Sequence, residues 1–285
     1  MAASETAGGL GGRPPTASGG PLAILGVGMM GEALLAGLVR SGWDPAQIRV
    51  AEANDTRRIQ IGQQYGVVTG SPAEVVAGAA VAVVVVKPYD VAALLESVRP
   101  VFDPACLVVS LAAGLTTAAI ENSLPAGQPL VRVMPNTAVT VGEGMSALCA
   151  GSSATPDHLA QAEQILAAVG QVRTVTEKDM DAVTAVSGSG PAYVMMVAEA
   201  MIDAGVLLGL PRPVATQLVA QTLYGSAKLL RDTGQHPTVL RENVTSPGGT
   251  TAAGLRQLED HALKSAFIDA IEASYRRSVE MGQVK

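Results

Sequence analysis

Leu22-Ala23-Ile24-Leu25-Gly26-Val27-Gly28-Met29-Met30-Gly31 decides how the rest of this chain is read. Four apolar residues make a compact strand that ends in glycine, and helical spacing then runs from Met29 to Val39. Between them Gly26 to Gly31 matches G-x-G-x-x-G, at the one place where that pattern carries a mechanism. Gly26 allows a tight turn, Gly28 lets the backbone approach a pyrophosphate, and Gly31 lets helix and strand pack closely. The first amides of the helix, those of Met29, Met30 and Gly31, lack intrahelical acceptors and can donate to phosphate oxygens. The spacing alone also fits a strand–helix turn that holds no ligand.

Outward from this turn, short apolar runs alternate with longer helix-like stretches as far as about Val175. Ile48 to Ala51 reads as a second strand and Thr56 to Tyr65 as a polar helix, with a weaker strand at Val67-Val68. Ser71-Pro72-Ala73-Glu74 opens a helix, with Ser71 as N-cap and Pro72 in the first turn. Val81 to Val86 is almost continuously β-branched, as expected of a central parallel strand buried on both faces. Leu107 to Leu111 and Leu130 to Val133 repeat it more briefly. Strands alternating with helices predict a parallel sheet with right-handed crossovers, an α/β, Rossmann-like dinucleotide-binding domain over residues 21–176. From about Glu177 the strand pattern stops. Pro191 to Leu208, Pro213 to Arg231, Thr250 to Leu258 and Leu263 to Met281 are amphipathic, so residues 177–285 are expected to form an all-helical domain. Its many Ala and Leu and few charges predict apolar surface buried against another subunit.

Composition excludes several classes. A net charge of -6 offers nothing to neutralise a nucleic-acid backbone, so no nucleic-acid partner is expected. Cys106 and Cys149 suggest no disulfide framework, and His158, His236 and His261 show no ligand spacing, so no metal site is expected. Residues 1–20 lack the basic start and apolar stretch of a signal peptide and read as a disordered tail. The longest apolar run, Ala79 to Val86, is too short to span a bilayer. A cytoplasmic protein without a membrane partner is expected.

Glu52 ends the second strand about twenty residues beyond the last glycine. A carboxylate there can hydrogen-bond ribose hydroxyls and would repel a 2′-phosphate. Arg57 and Arg58 lie just downstream and could reach such a phosphate, or form a solvated helix face. The coenzyme is therefore NADPH or NADH, with a lean to NADH. In an open parallel sheet the ligand sits beyond the carboxyl ends of the strands, so Lys87 and Pro88 should border it. Ala112, in Val109-Ser110-Leu111-Ala112-Ala113-Gly114, ends a second strand of this kind.

Three further segments carry a resemblance. They are Arg132-Val133-Met134-Pro135-Asn136-Thr137 with Gly142-Glu143-Gly144, then Val186-Ser187-Gly188-Ser189-Gly190-Pro191-Ala192-Tyr193, and Glu242-Asn243-Val244-Thr245-Ser246-Pro247-Gly248-Gly249-Thr250-Thr251. In order and spacing they are similar to those of the pyrroline-5-carboxylate reductases, from about Leu22 to near the C-terminus. By itself the third segment is a turn opening a helix, either a simple N-cap or an anion site made of free amides. The Ser187 to Pro191 turn admits the same two readings.

The resemblance implies that 1-pyrroline-5-carboxylate is reduced to L-proline by hydride from nicotinamide C4, the last step of proline biosynthesis. It implies that Thr251 lies near the imine nitrogen, in a hydrogen-bonding or proton-relay role. The amides of Gly249, Thr250 and Thr251 would hold the substrate carboxylate, with Ser187 and Gly188 also at the substrate, and Asn136 would sit near nicotinamide or substrate. It implies a homodimer, with a decamer as a further assembly. One departure stands out: the family often carries Asn-Arg at the second strand end, where the arginine meets the 2′-phosphate, and here the pair is Glu52-Ala53. Among rivals, a β-hydroxyacid dehydrogenase would need lysine and asparagine where this chain has Val194 and Ala198. A deazaflavin coenzyme reductase shares only the first domain, and a non-catalytic nucleotide-binding regulator is the alternative of another class.

Overall fold

The computed structural model describes residues 20–283. The expected tail therefore lies outside the described residues except for Gly20. In chain order the elements begin β1 (Leu22–Leu25), α1 (Met29–Arg40), β2 (Ile48–Ala51), α2 (Asp55–Tyr65), β3 (Val68–Thr69), α3 (Pro72–Val76) and β4 (Val81–Val84). There follow α4 (Pro88–Val98), β5 (Leu107–Ser110), α5 (Thr117–Glu121), β6 (Leu130–Met134), β7 (Gly144–Ala150), α6 (Pro156–Leu166) and β8 (Gly170–Thr174). The rest is helical: α7 (Met180–Val183), α8 (Gly190–Leu207), α9 (Arg212–Thr233), α10 (Pro237–Asn243), α11 (Thr250–Asp260) and α12 (Leu263–Gln283).

The strands form one sheet in the order β3-β2-β1-β4-β5-β6-β7-β8. Pairing is parallel from β3 across to β6, as the alternating pattern predicts. The β6–β7 pair is antiparallel, with Val131 opposite Ala150 and Met134 opposite Ala147. This corrects the expectation of an all-parallel sheet. β7 reads Gly-Met-Ser-Ala-Leu-Cys-Ala and has no β-branched residue, so its strand character comes from the edge it pairs with. β8, largely exposed and parallel to β7, gives no periodic signal either.

Alternate residues of each central strand feed two cores. Leu22 and Ile24 of β1 join Val81, Val83, Leu107 and Val109 on one face, while Ala23 and Leu25 join Ala82, Val84 and Val108 on the other. Burial on both faces is why these strands are continuously apolar. The order of strands reverses between β1 and β4, which makes the gap beyond Leu25 and Val84 the topological switch point.

The chain separates into two compact units. One runs to Gly188 and takes in the C-terminal end from Ser278; the other is Ser189–Arg277. Residues 177–188 are helical yet pack with the sheet, because Met180 is fully buried in a small cluster with Ala147 and Cys149. In the second unit α8 and α9 form a hairpin, and a Cβ at Gly205 would stand 3.1 Å from the Ala215 Cβ. Few side chains are enclosed there. No residue of α8 is buried, and Met195, Met196, Leu207 and Leu208 are exposed. One helical stretch, Glu177–Leu207, is long and apolar enough to cross a membrane by length and composition, a feature not picked out by apolar runs because small residues interrupt them.

Candidate functional site

The glycine turn lies at the switch point, and each glycine has a separate physical reason. Gly26 adopts φ +98°, and a Cβ there would stand 3.0 Å from the Val85 carbonyl oxygen. It is the close approach of the first loop to the loop beyond β4. A Cβ at Gly31 would lie 2.1 Å from the Gly26 carbonyl oxygen, so α1 can leave the turn at this angle only without a side chain. Gly28 differs. Its φ of -63° suits any residue, and a Cβ would meet nothing within 4 Å. The protein leaves that space open where a pyrophosphate backbone would pass, and α1 begins there with no side-chain cap on its first amides. The residues present fit a dinucleotide.

Around this turn Met29 is exposed and Met30 half-buried. Lys87 is exposed and occupies the N-cap of α4, with Pro88 in the first turn. Ala112 is buried, and its amide donates to the Ser110 hydroxyl at 3.4 Å. Glu52 is bound from two sides. Its Oε2 accepts from the Val27 amide at 3.0 Å and its Oε1 from the Asn54 amide at 3.0 Å, so the carboxylate ties the glycine turn to the end of β2. Arg57 forms an ion pair with Glu32 in the first turn of α1, and Glu32 also accepts from the Tyr65 hydroxyl at 3.0 Å. Burial, and then the Glu32 carboxylate, raises the Tyr65 phenol above its ordinary pKa. Arg58 pairs with Asp55 at 2.8 Å and donates to the Glu52 carbonyl at 3.1 Å. Both arginines of the expected phosphate site have protein partners, which spacing alone did not reveal.

Asn136 spends its amide on the protein. Its Oδ1 accepts from the Ala138 and Met145 amides, each at 3.2 Å, and its Nδ2 donates to the Ser187 carbonyl at 3.3 Å. It thereby ties the turn after β6 and the start of β7 to a π-helical segment, Thr184–Gly188, that contains Ser187 and Gly188. Such wide turns recur at functional sites. Gly188 lies against Met134, where a Cβ would approach the methyl carbon to 2.5 Å.

A second polar cluster was not foreseen in the sequence. Arg132, buried on β6, donates to Glu177 Oε1 at 2.5 Å, and the same oxygen accepts from the Thr117 amide at 3.3 Å. The Cys149 thiol donates to Glu177 Oε2 at 3.2 Å. Burial, followed by this carboxylate, pushes the Cys149 pKa up to about 12. Among the described residues there is no cluster of three or more His, Cys, Asp or Glu side chains able to hold a metal.

In the second unit α11 starts at Thr250 with Gly249 as N-cap and no side-chain cap, which leaves its first amides unsatisfied by the helix. Gly248 has φ +67°, and a Cβ at Gly249 would stand 2.4 Å from the Ser246 hydroxyl oxygen, so both glycines are needed by the turn itself. Thr250 is exposed and Thr251 half-buried. Ser187 and Gly188 belong to the first unit, and Gly249, Thr250 and Thr251 to the second.

Comparison with known proteins also divides the chain in two, with the second part beginning at residue 177 and so including Ser187 and Gly188. Residues 177–281 match the family model for pyrroline-5-carboxylate reductase dimerisation, and residues 21–114 match that for NADP oxidoreductase, coenzyme F420-dependent. The pyrroline-5-carboxylate reductase of Corynebacterium melassecola is 41% identical over 266 residues, spanning 92% of this chain and 98% of its own. Among solved structures, a pyrroline-5-carboxylate reductase from Coxiella burnetii superposes with a TM-score of 0.89 at 34% identity, covering 93% of this chain and 99% of its own. The Plasmodium falciparum pyrroline carboxylate reductase with NADP bound gives 0.82 at 31% identity, over 93% and 99% of the two chains. Fold, glycine turn and whole-length similarity agree, and the chain belongs to the pyrroline-5-carboxylate reductase family.

Proposed function

We propose that this chain reduces 1-pyrroline-5-carboxylate to L-proline with NAD(P)H. The reading is carried by similarity to named reductases over 92% of the chain. It is supported by a glycine turn whose central residue, Gly28, is kept open by nothing in the protein itself. The first unit binds the coenzyme with Gly26 to Gly31, Glu52, Lys87, Pro88 and Ala112 around it. When bound, reduced nicotinamide supplies the hydride. The amides of Gly249, Thr250 and Thr251 hold the substrate carboxylate at the start of α11, where the helix dipole favours negative charge. Thr251 orients the imine nitrogen or relays its proton through water, because an unactivated hydroxyl is a weak general acid. Asn136 sits near the nicotinamide or substrate and holds the Ser187 carbonyl through its Nδ2.

The second unit forms a homodimer, supported by the exposed apolar side chains of α8 and by the dimerisation model matched there. Glu199 and Asp203 on α8 suit a wet protein interface and would be costly in hydrocarbon. We place the enzyme in the cytoplasm, without membrane or nucleic-acid partners. A decamer is the further assembly that sedimentation would test. The deciding assay is purified protein with racemic pyrroline-5-carboxylate, following the absorbance of NADH or NADPH. Consumption of either, with proline formed, supports the reading; no consumption of either overturns it.

A further inference from the structure

We propose that Glu32 is a coenzyme-specificity residue, which holds Arg57 away from the 2′-position of the adenosine ribose and so turns the site toward NADH. The inference rests on the first unit being a dinucleotide site. The ribose of a dinucleotide lies at the end of β2 beside the glycine turn. Here these two features touch, since Glu52 accepts from the Val27 amide at 3.0 Å.

Around that point stand Arg57 and Arg58 with the carboxylates Glu32, Glu52 and Asp55; Arg40, at the end of α1, acts on Tyr65 through space, and Glu74 faces Arg58. Glu52 cannot swing aside without giving up two backbone hydrogen bonds. Arg58 is held by Asp55 and the Glu52 carbonyl. Arg57 sits in the first turn of α2, where its guanidinium could meet a 2′-phosphate. Instead it binds Glu32 on one side and donates to Gln60 Oε1 at 3.2 Å on the other. Glu32 in turn is fixed by the Tyr65 hydroxyl, so the carboxylate is anchored by both ends of α2. A phosphate arriving here meets Glu52 and two arginines, Arg57 and Arg58, that already have carboxylate partners; a ribose hydroxyl meets an acceptor, Glu52.

Ala53, next after Glu52, adds no charge that a phosphate could use. Direct binding tests the proposal without turnover. NADH, NADPH, and the fragments 5′-AMP and 2′,5′-ADP would be titrated calorimetrically into wild type, Glu32→Gln, Arg57→Ala and the double variant. Wild type is expected to bind NADH at least about tenfold more tightly than NADPH, as a phosphate beside Glu52 and two already paired arginines requires. Glu32→Gln keeps a hydrogen-bonding group for Tyr65 and frees Arg57. It should tighten NADPH and 2′,5′-ADP by about fivefold to tenfold and leave NADH and 5′-AMP unchanged. Adding Arg57→Ala should cancel that gain, while Arg57→Ala alone should leave the wild-type ratio as it is.

An unchanged ratio in Glu32→Gln overturns the proposal. So does a selective loss of NADPH binding in Arg57→Ala, which would place that guanidinium on the phosphate despite its partner. Absence of binding by every nucleotide overturns it together with the dinucleotide site. The predicted pattern of binding without imine reduction would leave the specificity proposal standing and remove only the assigned reaction.

Discussion

Gly28 and Gly31 are three residues apart and should respond to the same substitution in opposite ways. Alanine at 28 meets nothing in the protein, so Gly28→Ala should cost at most about 1 kcal/mol in urea unfolding while weakening coenzyme binding more than about tenfold. Alanine at 31 runs into the Gly26 carbonyl, and Gly31→Ala should lose about 3 kcal/mol or more of stability. Equal coenzyme affinity in wild type and Gly28→Ala would refute the placement of the pyrophosphate. Thr251→Ala should lower kcat/KM for the imine by about one to two decades with coenzyme affinity unchanged. A wild-type value would remove Thr251 from the reaction.

Elements are joined here by side chains that the local pattern does not mark. Glu177 gathers α5, β6 and β7 through the Thr117 amide, the Arg132 guanidinium and the Cys149 thiol. Removing it leaves Arg132, whose side chain is only 5% exposed, as an uncompensated buried charge. Glu177→Ala is therefore expected to cost about 3 kcal/mol in chemical denaturation, the lower end for breaking a buried pair because Glu177 is itself partly open to solvent. A loss below about 1 kcal/mol would show that water reaches Arg132. Strand β1, the glycine turn and α1 were legible because strand period, turn chemistry and helix start agree over adjacent residues. β7 was not, since a strand without a β-branched residue owes its extended form to the strands it pairs with, β6 and β8.

At the scale of the molecule, the second unit leaves more apolar surface open than a lone soluble domain usually carries. Met196, 72% exposed on α8, is a direct probe of that surface. If α8 is covered by a second copy, Met196→Asp should shift the protein toward monomer in sedimentation velocity at micromolar concentration. It should leave the glycine turn's coenzyme binding intact. A monomeric wild type, or a variant that sediments like wild type, would refute this use of α8.

By itself the sequence determined the α/β start, the helical second half, the chemical class of cofactor and the turn that opens α11. Each of these depends on local period, on glycine where a side chain cannot fit, or on free amides at a helix start. Only the tertiary structure decided the antiparallel β7, the commitment of Asn136 to backbone, and the pairing of Arg57 with Glu32. Those contacts join residues well separated along the chain, 25 apart for Glu32 and Arg57. Spacing places such residues near a site; the side-chain contacts of Glu32 on α1 with Arg57 and Tyr65 on α2 decide which charge remains for a ligand.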